Sequence, residues 1–289
     1  TGKDKVMSAL LLVSEQNRIN EVKDYLLSLS WDGVPRINTI LHDYLGANQD
    51  EYTAAVARKS LTAAVARAME PGCKYDYVPV LVGPQGIGKS TFLATLGKEW
   101  YSDSLQSFEG KEAAEMIQGI WINEVGEMAG YNKSESAVVK QFLSKRDDIY
   151  RQAYGRRTAK FPRKCVFFGT SNAYDFLKDL TGNRRFWPVD VGQVDPNKSV
   201  WDNLPDEVDQ IWAEAMEYYK NKEALFFDTP ELQALADAEQ DGHREANVKE
   251  GLIKSFLEKE VPANYDKMDL AARRMFWNGT VVVTQLIPR

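Results

Sequence analysis

The chain has 289 residues, a net charge of −6, two cysteines and two histidines. This length fits one large or two ordinary domains, and a hydrophobic content of 44% is typical of soluble globular proteins. No apolar run approaches the roughly 20 residues that span a bilayer. The scarcity of histidine argues against a histidine-based zinc site. Because Cys73 and Cys165 lie far apart in a chain without a secretion signal, we predict reduced thiols in a cytoplasmic protein that has no membrane partner.

The first part of the chain is predicted to be helical. Apolar residues between Leu10 and Leu29 recur at the spacing of one or two amphipathic helices. Asp50 stands where a cap would begin a long helix, and Pro71-Gly72 would end it. We predict an N-terminal helical subdomain over residues 1–73 that serves for packing.

A glycine-rich loop follows the apolar run Val78–Val82. Its spacing, Gly83-x-x-x-x-Gly88-Lys89-Ser90, is the full pattern of a phosphate-binding loop. Glycines let consecutive N–H groups face anionic oxygens, the lysine reaches the β- and γ-phosphates, and the serine hydroxyl ligates magnesium. The sequence therefore predicts that a nucleotide with Mg²⁺ is bound by Gly83, Pro84, Gln85, Gly86, Ile87, Gly88, Lys89, Ser90 and Thr91.

The region from 74 to 192 is predicted to form the nucleotide-binding core. Short apolar strands alternate with helices, the strands at 78–82, 120–122, 165–168 and 186–189 and the helices at 111–118 and 132–146. The stretch 149–161, centred on Tyr154-Gly155-Arg156, indicates a β-hairpin. This alternation predicts the α/β fold of a P-loop NTPase, in which a parallel sheet is sandwiched by helices and flanked by helical segments.

Beyond residue 192 the apolar spacing is helical again. Leu204-Pro205 and Thr229-Pro230 each begin a predicted helix, and apolar residues from 248 to 257 indicate a third. The chain ends in a β-prone run at 280–287, which we interpret as a cut inside a longer protein. We therefore predict a C-terminal helical segment over 193–289 that stops before a further small domain.

Polar side chains follow two of the predicted strands. Glu124 comes after the strand at 120–122 and is the candidate acid of the magnesium shell. Glu127, farther on, is the candidate that polarises the attacking water, and the alternative is an exposed loop acid. Asn172 closes the strand at 165–168, where it is either a sensor of the γ-phosphate or a turn asparagine bonded to its own backbone.

Two clusters of basic residues are candidates for anion binding. Arg184 and Arg185 enter a strand from a tight turn, and such an arginine either reaches the γ-phosphate of a neighbouring subunit or makes a surface salt bridge. From Lys145 to Lys164, eight basic residues outnumber two acidic ones. In that stretch the candidates for single-stranded DNA are Arg151, Arg156, Arg157 and Lys160, with Tyr150 and Tyr154 for stacking on bases. The alternative is a solvated basic face.

Taken together, these segments resemble the virulence-associated protein E family of phage and mobile-element proteins, which is related to superfamily 3 helicases and phage primase-helicases. The matching motifs are Trp31–Arg36, Pro71–Asp76, Gly83–Ser90, Trp121–Glu127, Tyr154–Arg157 and Thr181–Pro188. The resemblance implies an AAA+-type ATPase core that assembles on DNA as a homo-oligomeric ring such as a hexamer.

The same resemblance implies roles for particular residues. Lys89 and Ser90 would be the Walker A residues, Glu124 the Walker B acid and Asn172 the sensor. Arg184 or Arg185 would be the finger that acts in trans. The segment around Glu124 lacks the paired acids of many ring helicases, which leaves the role of Glu127 open.

The function that follows from these expectations is that of an ATP-hydrolysing DNA helicase or translocase in the replication of a phage or mobile element. One alternative is a nucleotide-gated DNA-binding or assembly protein that does not unwind DNA. The other is a small-molecule kinase, in which the basic hairpin would imitate a lid. Asn172 fits an ATPase better than a kinase.

Overall fold

The computed structural model describes residues 2, 5–6, 9–10, 13, 19–105, 107–127, 133–151, 158–177, 183–244, 261–262, 264–277 and 286–287. The chain divides into two compact units, Thr1–Arg244 and Glu245–Arg289, which are described in turn.

The first unit is built on a five-stranded parallel sheet and a separate two-stranded hairpin. The strands are β1 (Val78–Val82), β2 (Tyr101–Ser102), β3 (Ile122–Val125), β4 (Asp147–Tyr150), β5 (Ala159–Pro162), β6 (Val166–Ser171) and β7 (Phe186–Asp190). The order in the sheet is β2-β3-β6-β1-β7, with every neighbouring pair parallel. Strands β4 and β5 pair antiparallel, and this hairpin lies in the chain between β3 and β6.

Helices of the first unit lie before, between and after these strands. They are α1 (Glu21–Ser28), α2 (Ile40–Leu45), α3 (Glu51–Met69), α4 (Lys89–Gly97), α5 (Gly110–Met116), α6 (Lys133–Leu143), α7 (Leu204–Lys220) and α8 (Pro230–Gly242). Two predicted caps are confirmed. The Asp50 side chain accepts a hydrogen bond from the Thr53 N–H at 2.7 Å, and Thr229 accepts one from the Leu232 N–H at 3.2 Å.

Two clusters of buried apolar side chains cover the two faces of the sheet. One joins the sheet to α3, α4 and α7, and it contains Phe168. The other joins the sheet to α5 and α6, and it contains Phe167. Consecutive residues of β6 enter opposite clusters because side chains of a strand alternate between its faces. The predicted sheet between two helical layers is therefore confirmed.

Helices from the first and third predicted segments pack together on one face of this sheet. The indole N–H of Trp121 donates to the Ala64 carbonyl in α3 at 2.8 Å, and that of Trp212 in α7 donates to the Leu96 carbonyl at 2.9 Å. The rings of the two tryptophans lie 4.1 Å apart. Both indoles are fully buried, and both have the partner that a buried N–H requires. The predicted division at residues 73 and 192 stays a prediction.

The bounds of β3, β6 and β7 differ from those predicted. β3 starts at Ile122 rather than residue 120, because its residue-by-residue pairing with both β2 and β6 begins at Ile122. Glu124 therefore lies within the strand and not after it. β6 extends to Ser171, since its last residues pair with β1. The predicted cap of α6, at residue 132, lies outside the described residues.

The predicted hairpin is confirmed, but part of its basic charge is structural. Arg163 and Asp148 form a buried two-bond ion pair, with N–O distances of 2.8 and 2.9 Å. The Arg163 guanidinium also donates to the Phe142 carbonyl and lies 4.2 Å from the Phe142 ring centroid. Lys160 pairs with Asp147 at 2.9 Å. The Arg163–Asp148 pair removes one base and one acid from the surface, so the excess of positive charge in the stretch is unchanged, but the buried Arg163 is not available to a ligand.

The second unit contains a short antiparallel pair and one helix among its described residues. The pair is β8 (Val261–Pro262) with β9 (Leu286–Ile287), and the helix is α9 (Leu270–Trp277). The predicted helix at 248–257 lies outside the described residues. None of the helices that the structure describes is long and apolar enough to cross a membrane.

We expect the buried ion pair to be a stability determinant of the hairpin. Arg163→Ala leaves the Asp148 carboxylate buried and unpaired, so it should lower the free energy of unfolding by about 3–5 kcal/mol. Urea denaturation followed by circular dichroism measures this change. Lys164→Ala, at the exposed neighbouring position, is the control and should change stability little. Equal stability of the two variants would contradict the assignment.

Candidate functional site

The glycine-rich loop leaves β1 at the carboxyl edge of the sheet and leads into α4. A Cβ atom on Gly83 would stand 2.5 Å from the Val191 carbonyl oxygen, so this position accepts only glycine. Gly86 and Gly88 have φ of 86° and 94°, which other residues adopt only with strain. The loop conformation therefore depends on these three glycines.

The Lys89 side chain is folded back beneath the loop. Its ammonium group donates to the carbonyl oxygens of Gly83 and Pro84, both at 2.7 Å, and to the Asn172 Oδ1 at 3.0 Å. Burial lowers the pKa of Lys89, and the negative charge of Glu124 partly opposes that shift. The structure thus brings Lys89 and the predicted sensor into direct contact.

Glu124 is a buried carboxylate that accepts three hydroxyl hydrogen bonds. The Ser90 and Thr170 hydroxyls donate to Oε1 at 2.7 and 2.8 Å, and the Tyr101 hydroxyl donates to Oε2 at 2.6 Å. Burial and this bond raise the pKa of Tyr101 well above its ordinary value. Ser90 and Glu124 offer adjacent hydroxyl and carboxylate oxygens, which are the ligand types that Mg²⁺ prefers.

These groups line one cavity of about 440 Å³, a size in the usual range for small-molecule sites. The loop and the start of α4 form one wall, and Glu124, Glu127 and Asn172 face it. Glu127 is exposed and has a φ of 50°, a left-handed conformation that costs on the order of 1–3 kcal/mol for a residue other than glycine. A strained acid therefore stands at the rim of the cavity.

Several residues that line the cavity or contact Glu124 were not identified from the sequence. Asp103 comes directly after the end of β2. A polar residue in that position could have been recognised in the sequence as a candidate for the cavity. Thr170 and Tyr101 bind Glu124 through tertiary pairing that no short motif reveals. Trp201 reaches the loop from the segment before α7, more than a hundred residues along the chain, where the sequence gives no indication of it.

The predicted arginines lie at the other edge of the sheet. They immediately precede β7, whose first residue, Phe186, pairs with Val78 at the start of β1. The loop begins after Val82, so roughly 13 Å of strand separates the two places, at about 3.3 Å per residue. Arg184 is exposed, whereas Arg185 Nε donates to the Ser144 Oγ at 2.8 Å. Neither arginine therefore lies near the glycine-rich loop of its own chain.

The base of the basic hairpin also lies at that opposite edge. Arg146 Nε donates to the Gly72 carbonyl at 2.7 Å, and the Gly72 N–H donates to the Arg163 carbonyl at 2.8 Å, which ties the hairpin to the segment before β1. Arg151 and Lys160 are exposed. The other predicted DNA contacts, at positions 154, 156 and 157, lie outside the described residues.

Comparison with known proteins finds one family and a shared fold. The description "Virulence-associated protein E-like domain" matches residues 26–245. Two solved apo structures of the NrS-1 C-terminal region are similar at a TM-score of 0.51 and 12% identity. The alignments cover 89% and 88% of this chain but 62% and 65% of those chains, so it spans less than two thirds of their length. No curated protein matches the chain.

Proposed function

Because the chain belongs to the virulence-associated protein E-like family, we propose that it is an ATP-hydrolysing enzyme of phage or mobile-element replication that moves along or unwinds DNA. The observation that carries this proposal is the convergence of Lys89, Ser90, Glu124 and Asn172 on one cavity beneath a glycine loop. These four residues come from the loop and from the ends of two parallel strands, where P-loop enzymes carry their chemistry.

Each side chain has a distinct role in the proposed hydrolysis. Lys89 neutralises the β- and γ-phosphate oxygens, and a polyphosphate beside its buried ammonium offsets the burial that lowers its pKa. Ser90 and Glu124 would hold Mg²⁺, which when bound neutralises charge that develops on the phosphates. Asn172 orients the attacking water, and Glu127 accepts its proton as the water oxygen bonds to the γ-phosphorus and ADP leaves.

The first expected outcome is loss of turnover without loss of the fold. Lys89→Ala should slow ATP hydrolysis by roughly 10²–10³ because the developing negative charge loses its cation. Glu124→Gln should still bind ATP but turn it over slowly, since the metal shell loses an anionic ligand. Phosphate release with and without single-stranded DNA is the measurement, and Lys220→Ala and Glu217→Gln, an exposed pair in α7, are the matched controls.

Three results separate the candidate functions. Turnover that DNA stimulates supports the translocase, while tight ATP binding without turnover supports the nucleotide-gated assembly protein. Full activity in a folded Lys89→Ala protein would rule out hydrolysis at this loop.

The position of the arginines supports assembly into an oligomer. Since Arg184 and Arg185 lie a full strand length from the loop of their own chain, either of them would act as a finger on the loop of a neighbouring subunit. Arg185 is held by Ser144 and lies 3.6 Å from Asp76, whereas Arg184 is exposed. We therefore assign the finger that acts in trans to Arg184, and to Arg185 the role of fixing the turn.

We expect the two arginines to behave differently on substitution. Arg184→Ala should bind ATP normally but hydrolyse it more slowly by roughly 10³–10⁵, the usual contribution of an arginine finger. Arg185→Ala is the comparison and should chiefly lower stability. Mixing Arg184→Ala with Lys89→Ala subunits should restore part of the turnover, because some interfaces then pair an intact loop with an intact arginine. Absence of rescue in a demonstrated mixed oligomer would contradict action in trans.

The exposed basic residues of the hairpin support single-stranded DNA as the partner. Arg151 and Lys160 flank the tip, and the Tyr150 ring stacks on the Phe161 ring with centroids 4.4 Å apart, which stiffens the stem. Because Tyr150 is buried in this contact, we expect the hairpin to bind DNA by neutralising phosphates and not by stacking bases on this tyrosine.

Substitution at the hairpin tip should weaken DNA binding in a salt-dependent way. Arg156→Ala/Arg157→Ala should lower affinity for single-stranded DNA and reduce the slope of log affinity against log salt by roughly 0.7 per lost phosphate contact. Nucleotide affinity should not change, since the hairpin base lies at the edge opposite the loop. Titrations at several salt concentrations test this, and Lys111→Ala/Lys220→Ala, which removes the same charge elsewhere, is the control. An unchanged slope would place the DNA site elsewhere.

A further inference from the structure

Trp201 is an exposed tryptophan that stands directly against the glycine loop. Its side chain is 59% exposed, while Trp100, Trp121, Trp187 and Trp212 are buried. The Cζ2 and Cη2 atoms of Trp201 lie 3.4 Å from the position that a Cβ atom on Gly88 would occupy. The six-membered ring therefore lies against the loop at the start of α4, and Trp201 is one of the residues that line the cavity.

The segment that carries Trp201 is held in place on both sides. Val200 and Leu204 are buried at 1% and 0% exposure and anchor it in the core. The Ser199 hydroxyl accepts a hydrogen bond from the Trp201 N–H at 3.2 Å, and the Ser199 N–H donates to the Asn203 Oδ1 at 2.8 Å. An exposed aromatic on a fixed backbone loses little entropy when a flat ligand packs on it, because it has only two side-chain torsions.

We propose that Trp201 is the binding residue for the nucleobase, which stacks on its indole while the loop holds the phosphates. This proposal rests on the proposed function, since it takes the loop residues as the phosphate cradle. In a nucleoside triphosphate a single ribose joins the base to the phosphates, so the base lies close to the loop. Trp201 is an aromatic platform among the described residues that line the cavity.

The chemistry of stacking determines which nucleotides the site favours. Every base offers a π-face, so stacking tolerates different bases, and a purine covers more of an indole than a pyrimidine does. Stacking on an aromatic residue changes affinity by about 5- to 150-fold when the residue is replaced by alanine. We therefore expect ATP to bind more tightly than CTP, with the difference carried by Trp201.

The test compares ligands with and without a base. Isothermal titration measures the affinities of ATP, CTP and inorganic tripolyphosphate, each with Mg²⁺, for the unchanged protein, Trp201→Ala and Trp201→Phe. Trp201→Ala should weaken ATP by about 5- to 150-fold, reduce the preference for ATP over CTP and leave tripolyphosphate affinity unchanged. Trp201→Phe should retain most of the ATP affinity. Trp31→Ala, which removes another exposed tryptophan, is the control and should change none of these values.

The outcomes distinguish this inference from the function on which it rests. If Trp201→Ala weakens ATP and tripolyphosphate equally, the ring only shapes the loop and the inference is wrong. Unchanged ATP affinity in Trp201→Ala also overturns it. If the unchanged protein and Lys89→Ala bind tripolyphosphate equally, the loop is not a phosphate cradle, and the proposed function falls with the inference. Should Trp201→Ala fail to fold, the test is ATP quenching of tryptophan fluorescence in the unchanged protein and in Trp201→Phe. Quenching that is lost in Trp201→Phe supports stacking on Trp201, and equal quenching in both proteins overturns it.

Discussion

The parallel register of β1, β3 and β6 is the constraint on which the rest of this molecule depends. Parallel pairing puts the carboxyl ends of these strands at one edge, so the loop after β1, the acid in β3 and the asparagine after β6 meet there. An antiparallel neighbour would send one of these groups to the other edge. The helical layers that cover both faces make this pairing stable, because parallel strands need burial on both sides.

The two charged groups of the site are buried in different ways. Glu124 accepts hydrogen bonds from three hydroxyl donors that neighbouring elements supply, which compensates for its removal from water. Lys89 has carbonyl and amide oxygens as partners, and burial lowers its pKa. Glu124 therefore already has its hydrogen-bond donors, whereas the Lys89 ammonium would be further stabilised by a polyanion. This asymmetry favours an anionic ligand at the loop over a cationic one.

Local patterns predicted much of the fold, and long-range pairing decided the rest. The glycine loop, the caps at Asp50 and Thr229 and the alternation of strands and helices all depend on residues close together in sequence. The start of β3 was placed too early because Trp121 is as apolar as a strand residue, and the pairing with β2 and β6, which begins at Ile122, separates the two cases.

The sequence could not show which basic side chains are available to a ligand, for a related reason. A sum over the basic stretch treats all arginines alike, but Arg163 lies in the core with Asp148 and cannot meet a ligand. The cavity residues that were not identified from the sequence were overlooked for the same reason. Trp201 and Thr170 are ordinary in their local context, and only the tertiary fold brings them to the loop and to Glu124.

The separation of loop and arginines along the strands constrains how subunits associate. If Arg184 acts on a neighbour's loop, the contact joins one edge of the sheet in one subunit to the opposite edge in the next. If the contact is head-to-tail, it is heterologous and leaves one unused surface at each end of a pair. Repetition of a head-to-tail contact closes into a ring or extends as a filament, whereas a two-fold dimer would have to pair both arginines with both loops in one interface. The hairpin base lies at the same edge as the arginines, so each subunit interface that completes a nucleotide site would also fix the position of a basic hairpin.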